Sequence, residues 1–165
     1  MNRNSQYRVL VVDDEYSVLT TYRMILEREG YTVTACRNSR DAIAAVERDT
    51  FDVLLCDYSL EEQHTGFEVI TAARKRNSEV PAALLTGYAT LETVDEAQLS
   101  NIAVLFKPIE IAEFLATTSK LLRRDHESDQ KDNREETAQS QGNAQDGWGR
   151  DRGARHRSST RSIKD

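Results

Sequence analysis

Asp13 and Asp14 stand side by side after the apolar run Val-Leu-Val-Val, Asp57 closes a second such run, Thr86 a third and Lys107 a fourth. The steps between them are 44, 29 and 21 positions, so only a fold could bring them together. In an open parallel sheet the ligand crevice lies beyond the carboxyl ends of the strands, which is where each of these residues is expected. Three carboxylates, a hydroxyl and an ammonium would then share one small volume. Carboxylates that close repel one another, and keeping all three ionised at neutral pH requires a cation. A set of hard oxygen donors suits Mg2+, which keeps part of its water shell. Adjacent acids alone would also read as a solvated helix start, where the dipole favours them. It is the addition of Asp57 and Lys107 that turns the pair into chemistry.

The elements that must position these residues are legible from apolar periodicity. Short apolar runs at 8–12, 32–35, 51–56, 82–85 and 103–106 predict five strands, each followed by a polar turn and a helical pattern. After Glu15, Val18, Tyr22, Ile25 and Leu26 form one helical stripe that Gly30 can terminate in a left-handed conformation. Ser39 or Asp41 is expected to cap a second helix carrying Ile43 and Val46, and Gly66 precedes a third with Phe67, Ile70 and Ala73 in phase. A polar fourth helix is expected around 91–98, and a fifth over 109–123 with Ile111, Phe114, Leu115, Thr118 and Leu122 in register. Regular strand and helix alternation predicts a doubly wound α/β domain, with a five-stranded parallel sheet covered by helices on both faces.

Composition divides the 165 residues at Arg124. Residues 1–124 carry 14 Lys/Arg against 19 Asp/Glu and hold nearly all the large apolar side chains; they are read as one domain. Residues 125–165 offer only Trp148 and Ile163 as large apolar side chains and are expected to be a disordered polar tail. Six Arg/Lys against one Asp between Trp148 and Lys164, interleaved with Ser and Gly, are read as a solvated extension. An acidic domain repels a phosphate backbone, so residues 1–124 are not expected to bind nucleic acid directly, and 41 further residues with two large apolar side chains are too few to form a DNA-binding domain. Cys36 and Cys56 in apolar surroundings predict reduced buried thiols and a cytoplasmic protein. No apolar run approaches the ~18 residues of a membrane span.

The stretches Val-Leu-Val-Val-Asp13-Asp14-Glu15, Leu54-Leu55-Cys56-Asp57-Tyr58, Leu84-Leu85-Thr86-Gly87-Tyr88-Ala89 and Leu105-Phe106-Lys107-Pro108 resemble the receiver domain of two-component response regulators over about residues 7–123. The resemblance implies a flavodoxin-like strand order 2-1-3-4-5, the order of a chemotaxis member of this family. It implies Asp57 as phosphoacceptor, with Mg2+ held by Asp14, Asp57 and the backbone carbonyl of Ser59 and by Asp13 through water. Thr86 would turn toward a new phosphoryl group, and Lys107, followed by a cis bond to Pro108, would neutralise its charge. The implied partners are a sensor histidine kinase or phosphotransfer protein as donor and a downstream protein that binds the face of the fourth helix, fifth strand and fifth helix. Neither DNA nor a membrane is among them.

The chain departs from the family's pattern in three places. Val104 stands where an aromatic rotor is usual, so no large aromatic swing is expected, and Phe106 is expected to point the other way. The segment from Asp57 to Gly66 is one residue longer than common, with Glu61 at a frequent proline position. Ser59 and Tyr88 occupy the two positions that influence how fast the acyl phosphate hydrolyses. Two other readings compete: a degenerate receiver that works as an interaction module without phosphorylation, and an aspartyl-phosphate hydrolase of another α/β family. The hydrolase reading lacks a substrate-binding cap and its usual spacing of two acids on the first strand. His64, His126 and His156 are read as solvated residues without a role, and Arg74-Lys75-Arg76 as cations favouring a helix C-terminus.

Overall fold

In the computed structural model the described residues are 6–123, and they lie within one compact unit, Met1–Gln130. The tail expected over 125–165, with His126, Trp148 and His156, lies outside the described residues. Five strands, β1 (Arg8–Val12), β2 (Thr32–Cys36), β3 (Val53–Asp57), β4 (Ala82–Thr86) and β5 (Ala103–Phe106), form one sheet in the order β2-β1-β3-β4-β5. All pairs are parallel. Between the strands run α1 (Tyr16–Arg28), α2 (Ser39–Arg48), α3 (Gly66–Arg74) and α4 (Leu91–Leu99), and residues 111–123 form α5.

Strand residues alternate between two apolar layers, as a pleated sheet covered on both faces requires. Val9, Val11, Val53, Leu55, Ala83, Leu85 and Leu105 pack with α1 and α5, and Leu10, Val12, Leu54, Cys56, Ala82 and Leu84 pack with α2, α3 and α4. Tyr22 stacks on Phe114 with ring centroids 4.5 Å apart, joining α1 to α5. The helical stripes are shifted slightly from those expected. Leu19 lies in the core of α1 beside Tyr22 and Leu26, while Val18 and Ile25 are only half-buried. In α5 Ile111 is exposed and Leu121 is buried instead. Periodicity fixes a stripe to within about one residue; which edge of it meets the sheet depends on the helix's rotation against its neighbours.

Helix ends follow local chemistry. Gly30, at φ 92°, ends α1 in a Schellman turn: its N–H donates to Glu27 O at 3.0 Å and Tyr31 N–H to Leu26 O at 3.1 Å. Asn101, at φ 52°, ends α4 in the same way, with Asn101 N–H to Gln98 O at 3.0 Å and Ile102 N–H to Ala97 O at 2.8 Å. The cap of α2 is a correction: neither Ser39 nor Asp41 caps it, but Asn38, whose Oδ1 accepts from Asp41 N–H at 2.7 Å. Asn38→Ala is expected to cost about 1 kcal/mol in urea unfolding, the ordinary loss for an N-cap. The basic run at the end of α3 serves its neighbours. Arg76 donates to the carbonyls of Val46 and Glu47 in the last turn of α2, and Arg74 to Ser100 O at the end of α4.

Candidate functional site

The parallel register sets the ends of β1, β3, β4 and β5 at one edge of the sheet, so Asp13, Asp57, Thr86 and Lys107 emerge together. One carboxylate oxygen from each of Asp13, Asp14 and Asp57 lies within 4.8 Å of the others. Lys107 Nζ reaches over them, 2.7 Å from Asp13 Oδ2 and 3.4 Å from Asp57 Oδ2. Its backbone is fixed where β5 leaves β4, by Lys107 N–H donating to Thr86 O at 2.7 Å, and its bond to Pro108 is cis.

The three acids sit in different surroundings. Asp13 has no exposed surface, and both its oxygens are engaged: Oδ1 accepts from Glu15 N–H at 2.9 Å and Oδ2 from Lys107. Asp14 is exposed and Asp57 is buried. Burial pushes the Asp57 carboxyl up to about 6; Lys107 pulls it down, and Asp13 and Asp14 push it further up. The Lys107 ammonium is desolvated, which favours its neutral form, but Asp13 and Asp57 outweigh that and hold its pKa above the ordinary lysine value. One ammonium against three carboxylates leaves two negative charges uncompensated when all are ionised, which a divalent cation matches. The donors are all hard oxygens, and Cys56 beside them is no competitor, because burial drives its thiol far up. The donor set therefore fits Mg2+.

Thr86 is buried at the end of β4, and its hydroxyl is occupied by its own loop: Oγ1 donates to Tyr88 O at 2.6 Å and accepts from Tyr88 N–H at 3.1 Å. Val104 packs into the layer shared with Ala97 and Ile102. The expectation for Phe106 is corrected: residues two apart in a strand share a face, so Phe106 follows Val104 to that side, where it is 54% exposed. His64 is exposed, as expected, and its Nδ1 lies 2.7 Å from Glu68 Oε2 in a surface pair. Cys36 and Cys56 are buried and unpaired thiols, as expected.

Three contacts near the site escaped sequence reasoning. A Cβ on Gly66 would lie 2.4 Å from Asp57 O and 2.9 Å from Cys56 Cβ, so the start of α3 presses on the backbone of the acid. Thr93 in α4 donates through Oγ1 to Tyr58 OH at 3.3 Å, tying α4 to the residue after Asp57. Glu61 reaches from the loop after β3 to Ser39 at the start of α2. Desolvation raises its carboxyl, but the bonds from Ser39 outweigh it and hold its pKa below the ordinary range. The only sequence signal for these was an unusual residue, Glu61, in a loop of unusual length.

Comparison with known proteins gives a consistent picture. A family model described as the response regulator receiver domain matches residues 9–119. The chain is 31% identical over 122 residues to the transcriptional regulatory protein ZraR of Escherichia coli K12, covering 73% of this chain and 27% of that protein. It is 34% identical over 104 residues to the alginate biosynthesis transcriptional regulatory protein AlgB of Pseudomonas aeruginosa, covering 62% and 23%. A CheY-like receiver domain structure from Methanospirillum hungatei superposes with a TM-score of 0.69 at 28% identity, covering 74% of this chain and 98% of that one. The chain thus spans about a quarter of the length of the curated relatives it matches. These relatives correct the expected partner set, which contained no DNA-binding domain. They are transcriptional regulatory proteins, and most of their length lies outside the matched segment. Charge and apolar content describe the residues they are read from, and carry no information about the segments that these relatives bear outside the match.

Proposed function

The chain belongs to the response regulator receiver domain family, the phosphoacceptor modules of two-component signal transduction, and we propose that Asp57 is the residue phosphorylated. The observation that supports this reading best is the gathering of Asp13, Asp14, Asp57 and Lys107 at one sheet edge. Asp14, Asp57 and the Ser59 carbonyl are the direct ligands of Mg2+ in this proposal, and Asp13, with both oxygens already engaged, acts through water. The Ser59 carbonyl is available for this: Ser59 pairs with Thr65, but the two bonds of that bridge are made by its neighbours. What a bound Mg2+ supplies is positive charge against the oxygens of the transferring group.

The Asp57 carboxylate attacks the phosphorus in line and becomes an acyl phosphate, and the donor departs with the electron pair of the broken bond. Lys107 holds positive charge beside the transferred oxygens. Thr86 then exchanges its bond to Tyr88 for one to the phosphoryl group, which moves the loop that carries it; Val104, with no ring to swing, leaves this hydroxyl as the principal switch. Pro108 turns the chain after Lys107. Domain limits of 1–124 accommodate every described element. The protein turns over no external substrate, catalysing only its own phosphoryl transfer and loss, and works in the cytoplasm. Among the described residues no helix is long and apolar enough to cross a membrane.

The test is intact-mass analysis of the full chain incubated with acetyl phosphate. One phosphoryl adduct is expected with Mg2+ and none with excess EDTA, and peptide mapping should place it on residue 57. An adduct on any other residue would sink the assignment.

A further inference from the structure

The loop after β3 is built as a small hairpin. Leu60 N–H donates to His64 O at 2.9 Å and Gly66 N–H to Tyr58 O at 3.1 Å, framing the Ser59 and Thr65 pair. Its tip is one 3-10 turn, Glu61–Gln63, closed by His64 N–H to Glu61 O at 2.9 Å, with Gln63 at φ 67°. From this tip Glu61 Oε1 accepts two hydrogen bonds from Ser39, 2.8 Å from its N–H and 2.9 Å from Oγ. Ser39 is 3% exposed, so the anchor is set into the body of the domain.

Satisfying the first-turn Ser39 N–H of α2 is only part of what this contact does. Asn38 already caps that helix through Asp41 N–H. Among the described residues Glu61 Oε2 is buried and meets no hydrogen-bond partner, so the anchor is made through Oε1. The other part is geometric: the contact fastens the far end of the hairpin, while Gly66 fastens the near end against Asp57.

We infer that Glu61 is a positioning residue for Mg2+ binding, holding through Ser39 the loop segment that presents the Ser59 carbonyl. The inference rests on the receiver reading of the site and extends it to a residue outside the ligand set. Partners behind the direct ligands commonly govern metal affinity, because a carbonyl displaced by a fraction of an ångström no longer meets a small, rigidly octahedral ion.

The experiment is a Mg2+ titration of the full chain followed by amide NMR shifts, with no phosphodonor present. Glu61→Ala is expected to weaken Mg2+ binding about tenfold. Glu61→Gln loses the charge but keeps an acceptor for Ser39, so it should bind close to wild type; this separates positioning from long-range attraction of the cation. Ser39→Ala, which removes one of the two bonds without altering the loop, should fall between, and it decides the question should Glu61→Ala fail to fold. Wild-type affinity in Ser39→Ala and in a folded Glu61→Ala, or a Gln variant as weak as the Ala variant, would overturn this inference while leaving the receiver reading intact. A wild-type chain that binds no Mg2+ would overturn both.

Discussion

Asp57→Asn is expected to abolish the phosphoryl adduct and, in Mg2+-free protein at pH 7, to raise the unfolding free energy by about 2 to 3 kcal/mol. The two effects have one origin. Asp57 is a carboxylate held in a buried place beside two others, and its folded pKa is about 6 against an ordinary 3.8. A folded pKa raised in this way means the folded state binds the proton more tightly than the unfolded state does. The associated stability is fully present below about pH 4 and is lost as pH rises through about 6. At pH 7 wild type therefore bears the whole cost of ionising this group, about 1.4 kcal/mol for each tenfold difference in proton affinity between the folded and unfolded states, whereas asparagine bears none.

Urea unfolding of both proteins at pH 5 and pH 7, with and without Mg2+, checks this directly. Without Mg2+ the gap should widen from pH 5 to pH 7. With saturating Mg2+ it should close or reverse, because a cation bound only by the folded state stabilises wild type and meets one negative charge fewer in the variant. An asparagine variant no more stable than wild type at pH 7 without Mg2+ would refute the electrostatic account. Clustering three carboxylates at this sheet edge costs stability, because each opposes the ionisation of its neighbours.

Gly66→Ala is expected to destabilise the domain by about 3 kcal/mol and to impair phosphorylation of whatever fraction remains folded. The new methyl would stand 2.4 Å from Asp57 O, 2.9 Å from Cys56 Cβ and 3.0 Å from Leu84 Cδ2. The first neighbour is backbone in a fully buried strand, so it cannot rotate aside, and α3 must move away from β3 instead. Because the same shift drags the hairpin from Tyr58 to Thr65, the loss of phosphorylation rate should exceed that expected from the unfolded fraction alone. Chemical denaturation combined with the initial rate of adduct formation measures both. Wild-type stability in Gly66→Ala would show that α3 can recede freely and that this close approach does not set the geometry of Asp57.

The amino-acid sequence by itself determined the alternation of five strands with helices, the strand ends on which Asp13, Asp57, Thr86 and Lys107 lie, and the left-handed turn at Gly30. These are properties of backbone periodicity, burial pattern and single-residue conformational preference, each decided within a few positions. Tertiary structure alone decided that Leu19 and Leu121, and not Ile111, enter the core, because helix rotation against the sheet is a matter of packing. It also decided that Lys107 lies closer to Asp13 than to Asp57, that the Thr86 hydroxyl is held by Tyr88, and that Glu61 is anchored on Ser39. Contacts that span 94 or 22 positions depend on the path each loop takes once the sheet has formed, and no local pattern encodes that path.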